Sequence, residues 1–133
     1  MLNRRIRASS KSASLILSLT ANERKTLRGR RTTTCGQEIL LQLPRQGPLI
    51  DGEVLIGDQT SSQVLIKAAI ENLFLVSART NLELLQAAYH LGNRHVDLEI
   101  HSKELFLLED PVLGKMLTQR GLIVENIKRC FFP

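Results

Sequence analysis

Between residues 15 and 69 apolar positions come in short runs, several of them alternating, divided by turn-forming residues. The pattern predicts strands over 15–20, 25–34, 37–43, 54–56 and 64–69. The breaks fall at Ala21-Asn22, Cys35-Gly36, Gln46-Gly47-Pro48, Asp51-Gly52 and Asp58-Gln59, where Gly, Pro, Asn and Asp supply turn conformations. This half of the chain reads as a small all-β domain over 13–70, after a polar, mobile tail over 1–12.

From residue 71 the period changes. A strand over 72–78 precedes a helix over 81–91, in which Leu82, Leu85 and Tyr89, beside Leu84, Ala88 and Leu91, recur at helical spacing. Thr80 and Glu83 stand in capping-box spacing before it, and Gly92 is the expected stop, since a residue without Cβ accepts the left-handed position. Strands over 96–100 and 104–108 follow, then a helix over 111–120 and a strand over 122–128. That second helix has Asp110 as N-cap, Pro111 at its first position and Gly121 as its stop, with Val112, Leu113, Met116 and Leu117 as its apolar stripe. The order βαββαβ is the ferredoxin-like plan. The predicted fold class is α+β, a small N-terminal all-β domain followed by a ferredoxin-like domain over 71–133.

Candidate chemistry concentrates at the junction of the first long helix and the next strand. Two of the three histidines, His90 and His95, flank it. Along 96–100, Val96, Leu98 and Ile100 alternate with His95, Asp97, Glu99 and His101, so the period of two puts four metal-capable side chains on one face. A solvated sheet face accounts for this pattern, and so does a surface site for a transition metal suited to imidazole, such as zinc, copper or nickel. His101 lies roughly 20 Å along an extended strand from His95, so a straight strand does not bring both to one ion. His90, in the last helical turn, reads as structural, placed at the negative end of the helix dipole. Cys130 reads as a soft ligand or as an inert, half-buried thiol.

Composition narrows the choices. Of 133 residues, 43% are hydrophobic, with one Tyr and no Trp, so the core must be aliphatic. No apolar run reaches the roughly 20 residues of a membrane span, and the short, Ser-interrupted piece over 15–19 argues against a signal or transit peptide. Two cysteines far apart, without C-x-x-C spacing, fit a reducing cytoplasm. The net charge of +5 is uneven: residues 1–31 hold nine Lys/Arg against one acid. Such a surplus suits an acidic protein surface or nucleic acid, although scarce aromatics disfavour RNA and single strands. No phosphate-binding glycine loop appears and no nucleophile pairs with a base on sequence grounds, which argues against an enzyme.

The run Ala87-Ala88-Tyr89-His90-Leu91-Gly92-Asn93-Arg94-His95, continued by Val96-Asp97-Leu98-Glu99-Ile100, resembles the signature of the urease accessory protein UreE family, nickel metallochaperones of urease maturation. Leu19-Thr20, Glu23-Arg24, Leu43-Pro44-Arg45, Asp51-Gly52, Asp110, Val112-Leu113 and Met116-Leu117 extend the likeness. The resemblance implies that His95 is the nickel ligand and that a homodimer, associating further into a dimer of dimers with metal, brings two copies of it together. His101 is then an auxiliary ligand or a polar strand end, and Zn(2+) or Cu(2+) are competitors for Ni(2+). It also implies a peptide-binding-like N-terminal domain that meets the accessory GTPase and the urease apoprotein, a role for which Arg24, Lys25, Arg28, Arg30 and Arg31 are available. The chain departs from the family in having Pro111 where a histidine is common, Cys35 where an acid is, and Phe131-Phe132-Pro133 where many members carry a histidine-rich tail. The alternative is a basic nucleic-acid-binding adaptor acting through residues 1–31.

Overall fold

A computed structural model describes residues 1–6, 15–57 and 60–133. The turn expected at Asp58-Gln59 lies outside them. The chain is mixed α+β, mostly strand, and divides into two compact units, Met1–Ala69 and Ile70–Pro133.

In the first unit the elements are β1 (Arg4–Ile6), β2 (Leu15–Leu19), α1 (Ala21–Arg24), β3 (Arg28–Thr32), β4 (Glu38–Gln42), β5 (Val54–Gly57) and β6 (Thr60–Ala68). One sheet has the order β1-β5-β6-β2, with β2 and β6 parallel, and β3 pairs antiparallel with β4. Leu2, Leu17, Leu19, Leu41, Leu43 and Leu55 are among the buried residues of an aliphatic core, as the missing aromatics require.

Two expectations change here. The tail expected over 1–12 is described only to Ile6, its remainder lying outside the described residues, and that part contains a strand, because Leu2 is buried and the charge of Arg5 is matched: Nε and Nη2 donate to the two carboxylate oxygens of Glu53 at 2.8 and 2.6 Å. Arg5 also donates to the carbonyls of Gly47 and Pro48, fastening that turn to β1. The turn at Ala21-Asn22 is a one-turn helix. Thr20 accepts from the Glu23 amide and Glu23 accepts from the Thr20 amide, a complete capping box.

The second unit contains β7 (Ile70–Ser77), α2 (Asn81–Asn93), β8 (Glu99–Ile100), β9 (Leu105–Leu108), α3 (Pro111–Gln119) and β10 (Ile123–Cys130). Its sheet has the order β10-β7-β9-β8, antiparallel at each pairing. Leu84, Ala87 and Leu91 of α2 and Leu117 of α3 join Phe74, Val76, Leu105 and Leu107 of the strands in one core. A Cβ at Gly114 would stand 3.0 Å from the Phe74 ring, so the missing side chain lets α3 lie close to the sheet. Asp110 caps α3 by accepting from the amides of Val112 and Leu113, with Pro111 in the first turn where its missing N–H costs nothing.

The strand expected over 96–100 is only the two residues of β8. Residues 96–98 make no ladder, because the backbone leaves α2 through a cap that occupies Val96.

Candidate metal site

His95 is exposed at the end of α2. The helix does not stop at Gly92 but runs to Asn93, with Arg94 as its C-cap. His95, with φ of 57°, takes the left-handed position assigned by sequence to Gly92. The His95 amide donates to the Gly92 carbonyl at 3.0 Å and the Val96 amide to the Leu91 carbonyl at 3.1 Å. These two bonds satisfy carbonyls that a helix end otherwise leaves open. Val96 packs on the core that contains Leu91, the apolar contact that accompanies such a cap. The backbone bearing His95 is therefore held by hydrogen bonds and packing while its imidazole faces outward.

The four-residue polar face does not form. Glu99 is turned inward, 6% exposed, whereas its neighbour Ile100 is 66% exposed. The Glu99 carboxylate receives the Phe132 amide at 2.8 Å, Arg129 Nη2 at 2.8 Å and His101 Nε2 at 2.5 Å. The Arg129 guanidinium lies 4.1 Å over the Phe106 ring, against which His101 also stands edge-on. Glu99 is thus a buried acceptor tying β8 to the C-terminal segment, and one ring nitrogen of His101 is occupied by it. Among the described residues, no three His, Cys, Asp or Glu side chains converge as a metal site.

His90 is half-buried and stands edge-on to Tyr89, their ring centroids 5.6 Å apart. It lines a 170 Å³ groove with Glu83, Gln86 and Arg120. Neither Cys35, which is exposed, nor Cys130, which is half-buried, forms a disulfide. Of the five basic candidates Arg24 is buried, which removes it as a contact residue, while Lys25, Arg28 and Arg30 are exposed.

Helix α2 carries two apolar stripes, which helical spacing alone does not separate. Leu82, Leu85 and Tyr89 are 63%, 68% and 66% exposed, on a different side from buried Leu84, Ala87 and Leu91. At about 100° per residue the three lie within roughly 60° of one another and lead toward the end that carries His95. The available signal was quantity: these apolar residues exceed what one buried face of a helix holds.

Comparison with known proteins gives this site a context. Residues 71–133 match the family model described as "UreE urease accessory protein, C-terminal domain", which defines an accessory protein rather than an enzyme. A urease accessory protein UreE of Parasynechococcus marenigrum (strain WH8102) is 50% identical over 133 residues, covering all of this chain and 89% of the relative. Another, from Synechococcus sp. (strain WH7805), is 56% identical over 119 residues, covering 90% of this chain and 68% of the relative. A third, from Prochlorococcus marinus (strain MIT 9301), is 46% identical over 119 residues, covering 90% and 80%. The chain belongs to the UreE urease accessory protein family.

Proposed function

We propose that the protein is a nickel carrier that binds its ion through His95 from two subunits and hands it to the urease apoprotein. The observation that carries this is the pairing, at one end of α2, of an outward imidazole on a fixed cap with the exposed stripe Leu82, Leu85 and Tyr89. A stripe of large apolar side chains is costly to leave in water and is suited to covering by a second copy. In a two-fold dimer the same stripe meets itself, and any residue near the axis is presented twice. Two imidazoles with water completing the shell make an incomplete ligand set, appropriate to a cargo that must be released.

The second unit, with strand order β10-β7-β9-β8 and two helices, supports the ferredoxin-like reading of the metal-binding and dimerisation domain. The first unit serves partner binding, with the accessory GTPase and the apoprotein as partners. A cytoplasmic location is consistent with two cysteines outside any disulfide, and no described helix is long and apolar enough to cross a membrane. Nickel is cargo through the maturation machinery rather than through intrinsic preference, since a generic nitrogen site ranks copper above nickel and zinc also competes. His101, with one nitrogen held by Glu99, is at most an auxiliary ligand through its other nitrogen. Calorimetric nickel titration of the intact protein and of His95→Ala, combined with sedimentation equilibrium, tests the proposal.

A further inference from the structure

Strands β2 and β3 lie side by side but are bonded at one point only. The Thr34 amide donates to the Ile16 carbonyl at 2.9 Å, and α1 turns the chain back between them, so the two strands are antiparallel. In an antiparallel ladder the next residues in register, Ser18 and Thr32, would exchange two bonds. Among the described residues neither is made, and β3 pairs only with β4. Both backbones nevertheless face the gap. The Thr33 amide bonds to the Gln37 carbonyl, so odd-numbered residues here turn toward β4 and Thr32 turns away from it. Ser18, two residues beyond Ile16, turns toward β3.

This open rung borders a cavity of 370 Å³, a size in the range of small-molecule sites. The Thr34–Ile16 bond and α1 stop its two ends, so it admits a small molecule and not a passing chain. Leu17 and Leu19, both buried, give it an apolar wall. Arg31 gives it a guanidinium: Nη1 donates to the Arg30 carbonyl at 2.6 Å, while the buried Nε has no partner among the described residues. Gly29 leaves room for this group, since a Cβ there would stand 3.3 Å from Arg31 Nη1. Glu38 stands in register beside Thr32. With Arg30 and Glu23 the lining holds two cations and two anions.

We propose that this cavity binds a free aliphatic α-amino acid, which supplies the missing rung between β2 and β3. Its carboxylate accepts from the Ser18 amide and the Arg31 guanidinium, and its ammonium donates to the Thr32 carbonyl and the Glu38 carboxylate. Two open strand edges present donors and acceptors together, and an amino acid answers both. An inorganic anion would leave the Ser18 and Thr32 carbonyls unmet, and a simple amine would leave the amides unmet. The balanced charge of the lining selects a zwitterion, and the leucine wall selects an aliphatic side chain. The bound molecule joins the four-stranded sheet to the β3-β4 pair and stabilises the folded chain by mass action. The proposal goes beyond the carrier role and does not depend on it.

The test titrates the isotopically labelled full chain with L-valine. The expected result is a saturable shift of the Ser18 and Thr32 amide signals, with a dissociation constant of about 1 mM or tighter, and a melting midpoint that rises with valine concentration. Isovalerate, which is valine without its ammonium group, and isobutylamine, which lacks the carboxylate, should each bind about tenfold more weakly or worse. Arg31→Gln should weaken valine binding about tenfold, and Glu38→Gln about threefold or more, with circular dichroism checking both folds. Glu38 is exposed, so its variant keeps the test valid if Arg31→Gln fails to fold. Absence of a saturable shift with valine, or unchanged valine affinity in a folded variant, would overturn the proposal. So would binding of isovalerate or inorganic phosphate as tight as that of valine, or equal binding of N-acetylvalinamide, whose capped ends mimic a peptide.

Discussion

His95 and Gly121 occupy the same position in two copies of one helix cap. The Gly121 amide donates to the Thr118 carbonyl and the Leu122 amide to the Leu117 carbonyl, as His95 and Val96 do to Gly92 and Leu91. Both residues are left-handed, at φ of 84° and 57°. Glycine adopts this conformation freely, whereas a side chain costs about 1 kcal/mol. His95→Gly should therefore raise the stability of the metal-free protein by about 1 kcal/mol while removing the imidazole, and Gly121→His should lower it by a similar amount. Urea denaturation checks both, and a less stable His95→Gly protein would contradict this view of the cap.

The stripe on α2 gives an expectation about assembly. Leu85→Asp and Tyr89→Glu alter exposed positions and should leave the helix folded. Each places like charges together across a two-fold interface and should weaken the dimer by roughly tenfold or more. Sedimentation equilibrium reads this directly, and dimers of undiminished strength would place the interface elsewhere.

Glu99 is expected to matter for stability far more than its exposed-looking sequence context suggests. Glu99→Ala removes the carboxylate to which the Phe132 amide and Arg129 Nη2 donate and should cost about 2–3 kcal/mol, a figure already reduced because Arg129 and His101 are partly solvated. His101→Ala, removing one half-exposed partner, should cost under about 1 kcal/mol. Denaturant titration of the two variants would show equal losses if Glu99 were not the centre of the cluster.

Cys35 should be the more acidic kind of thiol. The Thr33 hydroxyl, 3.3 Å from its sulfur, and the Gln37 amide hold it below the usual thiol range by favouring the thiolate. Alkylation of Cys35 should reach half its maximal rate at a lower pH than a free cysteine peptide, and Thr33→Val should move that midpoint upward. A midpoint indifferent to Thr33→Val would rule out the hydroxyl as the cause.

Both β-rich halves and the two long helices were legible because their signals are local. Asp110, Pro111 and Gly121 mark α3 at both ends, and the helical spacing of apolar residues marks α2, although it does not separate the buried stripe from the exposed one. Local signals mislead where distant residues decide. Gly92 is the better left-handed residue, yet the cap falls three positions later, where Val96 can reach the core around Leu91. Alternation placed Glu99 on the outer face, but Arg129 and the Phe132 amide draw it inward, partners that lie 30 and 33 residues away. The strand at Arg4–Ile6 is hidden for the same reason, since Arg5 is matched by Glu53 and the Gly47 and Pro48 carbonyls, all more than 40 residues away. The helix at Ala21–Arg24 was readable, because Thr20 and Glu23 have the spacing recognised at Thr80 and Glu83.

The most direct measurement is the nickel affinity of the His95→Ala dimer. Alanine costs only about 1 kcal/mol or less beyond histidine in the left-handed position, so the fold and the α2 interface should persist while two imidazoles vanish at once. Calorimetric titration, with sedimentation equilibrium on the same samples, should show a dimer that has lost the nickel site, whereas His90→Ala and His101→Ala dimers should retain it. A folded His95→Ala dimer that binds nickel as tightly as the unaltered protein would contradict the shared-histidine site.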